Sequence, residues 1–143
     1  MGIFVSVLAI KLFELSHPLW FVIAVLFGSI FVDIDETQSF IGRRTKPLSW
    51  IIKALFGHRG LFHSVFMAAA IAYGWYYFIG IEVALGFLAG YVGHLLSDGI
   101  TQGGVRIFYP LSTYEIRGFV RVGGMFEAFL FIGIAIVTLI LII

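Results

Sequence analysis

Four apolar runs, residues 18–32, 61–80, 83–97 and 128–143, limit what this 143-residue chain can fold into more than any other feature. A helix needs about 20 apolar residues to cross the hydrocarbon core of a bilayer, with roughly 17 tolerated. Residues 61–80 meet that outright, with His63 and Ser64 their only strongly polar members, and 83–97 and 128–143 reach it with their flanking residues. Pro18 suits the first turn of a helix, where its missing N–H costs nothing. Residues 1–15 form a fifth run, shortened by Lys11 and Glu14. Apolar residues make up 61% of the chain and charged ones 12%, so lipid rather than water is its main solvent. The expected fold is all-α: a single integral-membrane domain over residues 1–143, built as a multi-pass transmembrane bundle of about five helices.

Two stretches do not belong in lipid, residues 36–59 and 101–124. They read as interfacial loops, and residues 47–56 in the first as a short amphipathic helix lying on the membrane surface. A hairpin of 61–80 and 83–97 turning near Gly80 puts both loops on one face. The bases agree: Arg43, Arg44, Lys46, Lys53 and Arg59 lie in the first loop and Arg106, Arg117 and Arg121 in the second, leaving Lys11 alone elsewhere. The positive-inside rule makes that face cytoplasmic. No basic residue precedes the first apolar run, so the N-terminus is expected to be retained rather than cleaved as a signal peptide. Gly86, Gly90 and Gly93 are expected to permit close helix packing.

The acids and histidines converge on the same face. Asp33 and Asp35 end the second segment, His58 and His63 begin the third, and His94 and Asp98 end the fourth, whereas Glu14, His17 and Glu82 fall to the opposite side. His94 and Asp98 are four apart on one helix face. Asp33 and Asp35 diverge on a regular helix but can converge where the helix ends. Simple solvation also draws such residues to helix ends. Six ionisable groups gathered on one membrane face, however, are costly and tend to mark function. With no cysteine in the chain, any metal must be held by imidazole and carboxylate, a donor set that suits zinc, manganese or iron better than magnesium or calcium. The six can serve one divalent ion with supporting partners, or two ions bridged by a carboxylate. A formal charge of +1 excludes nucleic acid as a main partner, because phosphate-backbone binding needs a concentrated basic surface.

In order and approximate spacing, Asp33-Ile34-Asp35, the run Gly57-His58-Arg59-Gly60 through His63-Ser64, Gly90 through His94 to Asp98 and Thr101, then Gly103-Gly104 and Tyr109-Pro110 form a recognisable series. It resembles the family of membrane-bound, predicted metal-dependent hydrolases that includes the LexA-binding inner-membrane-associated hydrolase. The resemblance covers roughly residues 32–127. It implies metal-dependent hydrolysis with Asp33, Asp35, His58, His63, His94 and Asp98 as ligands, and Gly123-Gly124 followed by Glu127 adds Glu127 as ligand or general base. The threonine–histidine pair common in the family's first helix is missing here, since residues 1–16 hold no histidine.

The expected chemistry is attack by a metal-activated water, with Asp35 or Glu127 taking a proton and Arg59 holding an anionic leaving group. That favours a phosphoester, and a site at headgroup depth favours a lipid or lipid-linked one, with membrane lipid as the immediate partner. Arg106, Arg117 and Arg121 are further candidates for the anion, or contacts to anionic lipid. The competing expectation is a metal-binding membrane adaptor or a metal-ion carrier. A carrier needs polar groups through the membrane, and the helix middles offer little beyond Ser29 and Tyr73.

Overall fold

The computed structural model describes residues 1–56 and 60–143. Among these, six α-helices follow in order: α1 (Gly2–Leu12), α2 (Pro18–Phe31), α3 (Lys46–Phe56), α4 (Val65–Phe78), α5 (Ile81–Ile100) and α6 (Met125–Ile142). Short 3-10 turns at Val32–Asp35 and Leu61–His63 complete them. The only β pairing among the described residues is two isolated bridges, Thr101 with Val120 and Val105 with Ile116, so the chain is all-helical as expected.

Among the described residues, three helices are long and apolar enough to cross a membrane: α2 extended through its 3-10 turn to Asp35, α5 and α6. Helices α1 and α4 are shorter, at 11 and 14 residues. At 1.5 Å per residue, α4 spans about 21 Å. The continuous helix expected over 61–80 is therefore broken, and the break has a cause. Ser64 leaves the helical region (φ −115°, ψ 152°), and its Oγ accepts the Met67 N–H at 3.3 Å as an N-cap. Residues 61–63 wind separately ahead of it. There Tyr91 donates its hydroxyl to the Phe62 carbonyl, and His63 turns fully inside.

Helix α2 lies along α5 with the two backbones in direct contact. A Cβ on Gly28 would sit 2.2 Å from the Phe87 carbonyl oxygen, and one on Gly90 1.9 Å from that of Val25. Gly86 meets the Phe21 carbonyl in the same way, whereas Gly93 looks only onto the side chain of Val5 at 3.8 Å. Of the three glycines expected to pack helices closely, two do so, and Gly28 joins them from the other helix. Helix α4 covers α5 through Ala68 and Ala72, closing a core around Phe87 and Tyr91, both fully buried. Helix α6 leans chiefly on α1 and is almost wholly exposed, which suits a helix solvated by lipid.

Helix α3 is amphipathic with its polar side turned inward. Ser49 and Ile52 are buried and Lys53 pairs with Glu36 at 3.4 Å, while Leu48, Trp50, Ile51 and Leu55 stand exposed. That orientation fits a helix lying in the interface with its apolar side in lipid. At the far end of the bundle, both oxygens of Glu82 accept backbone N–H groups, from Ser16 at 2.7 Å and His17 at 2.8 Å. This ties the α1–α2 connection to the start of α5, well away from Asp33 and His63.

Candidate metal centre

Where α2 ends, the chain tightens into the 3-10 turn Val32–Asp35, and this change of winding brings Asp33 and Asp35 to two sides of one imidazole. Asp35 Oδ2 lies 3.2 Å from His63 Nδ1, and Asp33 Oδ1 lies 3.8 Å from His63 Nε2. Asp98, near the end of α5, places Oδ2 3.4 Å from the same Nε2. One turn earlier on α5, His94 directs its own Nε2 to Asp33 Oδ1 at 3.5 Å and to Asp98 Oδ2 at 3.8 Å. The two imidazoles are nearly perpendicular, at 71°, with centroids 5.7 Å apart.

Both histidines are oriented through their other nitrogen. His94 Nδ1 donates to the Ser29 carbonyl at 2.7 Å, and His63 Nδ1 donates to Asp35. In the neutral ring a donor at Nδ1 leaves the lone pair at Nε2, so both rings would turn a nitrogen able to coordinate towards the Asp33 and Asp98 carboxylates. Neither partner arises by accident of surface packing. Asp35 is fully buried, and Ser29 lies in the last turn of α2, where carbonyls lose their regular helical donors.

The donor set suits a divalent ion. Asp33, His63 and His94 each offer one atom within 4.8 Å of the others, and Asp98 Oδ2 lies close to both imidazole nitrogens. A tetrahedral ion with ligands at about 2.0–2.2 Å holds them about 3.3–3.6 Å apart. The four imidazole–carboxylate separations, 3.4–3.8 Å, lie at or slightly above that. Burial grades across the group: the His63 side chain is 0% exposed, Asp98 15%, His94 19% and Asp33 38%. The centre therefore opens on the Asp33 side.

Of the residues expected at the site, four bring donor atoms together: Asp33, His63, His94 and Asp98. Asp35 joins them by holding His63. Glu127 does not enter the group, because its carboxylate accepts the Gly123 N–H at the start of α6 and lines a neighbouring cavity. His58 and Arg59 lie outside the described residues. Arg106 and Arg117 both turn to Glu115, at 4.0 and 2.9 Å. Ser29 and Tyr91 are the positions that motif reasoning missed. The role of Ser29 rests on a backbone carbonyl, which no side-chain pattern reports, and Tyr91 was legible only as an aromatic in an apolar helix.

These observations define a helical membrane protein that carries an acid–histidine cluster at one end of its bundle. The chain belongs to the YdjM inner membrane protein family, whose profile matches residues 1–142. It is 37% identical over 84 residues to the inner membrane protein YdjM of Escherichia coli (strain K12), a match covering 54% of this chain and 43% of that one. It is 34% identical over 91 residues to the uncharacterized protein YvsG of Bacillus subtilis (strain 168), covering 63% of this chain and 56% of the relative. The chain thus spans about half the length of the curated relatives it matches. No solved structure matches it.

Proposed function

We propose that this protein is a multi-pass membrane hydrolase that depends on a divalent metal, zinc or manganese, and cleaves a phosphoester of a lipid or lipid-linked substrate. The observation that carries the proposal is the convergence of His63 Nε2, His94 Nε2, Asp33 Oδ1 and Asp98 Oδ2, with both Nδ1 positions already engaged. In this reading α1, α2, α4, α5 and α6 cross the bilayer. The gathering of bases in the two long connections supports a centre facing the cytoplasm.

Asp33, His63, His94 and Asp98 hold the ion, which when bound acidifies water and polarises an ester oxygen. Asp35, buried against His63, orients that ring rather than serving as the base expected from the motif. The Ser29 carbonyl does the same for His94. Asp33, the most exposed of the four, marks the side from which substrate and water reach the centre. Phe31, Phe62, Phe87 and Tyr91 pack beside this end of the bundle and keep it dry on the core side. The same aromatic packing disfavours a polar path across the membrane, so a hydrolase is preferred to a carrier.

The test is metal analysis of the purified protein joined to phosphate release from phosphorylated lipids in mixed micelles. The expected result is about one bound zinc or manganese per chain, removable by chelator. Hydrolysis should disappear on chelation and in His94→Ala and Asp98→Ala. A protein that binds no metal, or both variants retaining full metal content, sinks the proposal. Stoichiometric metal without turnover of any phosphoester replaces it with a metal-binding adaptor.

Asp35→Asn supplies a separate check on ring orientation. The substitution keeps the shape but weakens the acceptor at His63 Nδ1. Metal affinity measured against a chromophoric chelator is expected to fall about 10–100-fold. Unchanged affinity would show that Asp35 does not orient His63.

A further inference from the structure

We propose that the cavity between α6, α1 and the α2–α5 pair binds one acyl chain of a phospholipid whose phosphorylated head group lies at the metal centre. The cavity has a volume of about 620 Å³, within the range of sites built for small ligands. Its wall on α6 runs from Glu127 to Ile142. The 15 residue steps between them correspond to about 22 Å of helix, more than the depth of one leaflet of a core about 30 Å thick.

The cavity is apolar along this length, as an acyl chain requires. Glu127 carries its one charged side chain and marks the metal end, while Leu139 and Ile142 lie at the other end of the α6 wall. The hydroxyls that line it are all given to backbone carbonyls: Ser29 to Val25, Ser97 to Gly93 and Thr101 to Asp98, each at 2.9 Å, and Thr138 to Ile134 at 2.7 Å. The Glu127 end adjoins the centre. Ser29 carries the carbonyl that holds His94, and Ser97 sits on α5 between His94 and Asp98. A second cavity of about 740 Å³ lies at the opposite end, around His17, Trp20 and Glu82, and has no such connection. Because α6 packs chiefly on α1, a chain can slip in sideways from the bilayer without dissolving in water.

The assignment of the head group rests on the hydrolase reading, whereas occupancy of the cavity can be measured without turnover. The probe is phosphatidic acid bearing a diazirine midway along one acyl chain, added to the full chain in phosphatidylcholine vesicles, photolysed and mapped by peptide mass spectrometry. Labelling is expected on the cavity face of α6, at Leu130 and Ala135, and should be displaced by unlabelled phosphatidic acid. Ala135→Trp, which fills the cavity, is expected to lower it about tenfold, equivalent to one decade of affinity. Ile136→Trp, on an exposed part of the same helix, should leave it unchanged. Thermal melting of each variant checks folding, and Leu130→Phe replaces Ala135→Trp if the latter melts early.

Uniform labelling around α6 that excess phosphatidic acid does not displace would overturn the proposal in favour of bulk lipid. So would an intermolecular disulfide formed in vesicles by Ala135→Cys, which would assign the cavity to a second copy. Specific labelling without phosphate release keeps the cavity and removes the hydrolase. Phosphate release with bulk-like labelling does the reverse.

Discussion

Replacing His63 with alanine is expected to strip the purified protein of its metal and also to lower its melting temperature, a joint loss that no other single ligand substitution should match. His63 is fully buried and lies within 4 Å of three carboxylates, those of Asp33, Asp35 and Asp98. Alanine removes one proposed metal ligand and also the donor that Asp35, itself fully buried, receives at 3.2 Å. A hydrogen bond to a buried charged group contributes about 1.5–3 kcal/mol. For a chain of this size that corresponds to a fall of roughly 5–10 °C. His94→Ala should lose metal as completely but melt higher than His63→Ala, because His94 and its partner Asp33 are partly exposed and water can replace the lost contact. Melting both variants in chelator removes the stabilisation that bound metal itself confers on the folded state. Wild-type metal content in His63→Ala would show that the four donor atoms do not form one site. Equal melting of the two variants would show that the bond to Asp35 adds nothing to the fold.

That contrast between His63 and His94 could not be read from their positions in the chain. Both appeared as histidines near helix ends, with equal standing among six candidate ligands. Their difference arises from how the helices stop. The hydroxyl of Ser64 caps α4 and detaches residues 61–63 into a separate turn, which carries His63 inward. In an apolar run of twenty residues one serine reads as a tolerated polar group, so the break was invisible although the run itself was plain. The length and apolar content of α2, α5 and α6 were legible because lipid imposes them on every residue. The amphipathic helix α3 was legible in outline over residues 47–56, but which of its sides turns inward was not, since that depends on the burial of Ser49 and Ile52 and the pairing of Lys53 with Glu36. The division of the cluster into four proposed ligands and a fifth group, Asp35, held against His63 Nδ1 was not legible either. It depends on which imidazole nitrogen meets which acceptor, and for His94 that acceptor is a main-chain carbonyl present at every position in the sequence.

Gly90→Ala is expected to damage both the fold and the centre, although Gly90 touches no proposed ligand. A Cβ at this position would lie 1.9 Å from the Val25 carbonyl oxygen, 2.8 Å from its carbon and 3.0 Å from the Ser29 nitrogen. All three are backbone atoms of α2, so no side chain can swing aside, and the two helices must separate. Overpacking of this kind costs about 1–3 kcal/mol. The separation falls beside the main-chain bond at His94 Nδ1, because Ser29, whose nitrogen crowds the new methyl, also supplies the carbonyl 2.7 Å from that nitrogen. Thermal melting in detergent should therefore shift downward, and metal affinity should weaken in the same variant. Gly74→Ala on α4 is the matched control: nothing lies within 4 Å of the added methyl, and alanine is the better helix former by about 1 kcal/mol. That variant should melt at or above the wild type and keep its metal. If Gly90→Ala melts lower but binds metal normally, the α2–α5 contact supports the fold without orienting His94. If it melts like the wild type, the close backbone approach of α2 and α5 is wrong, and the geometry built on it fails as well.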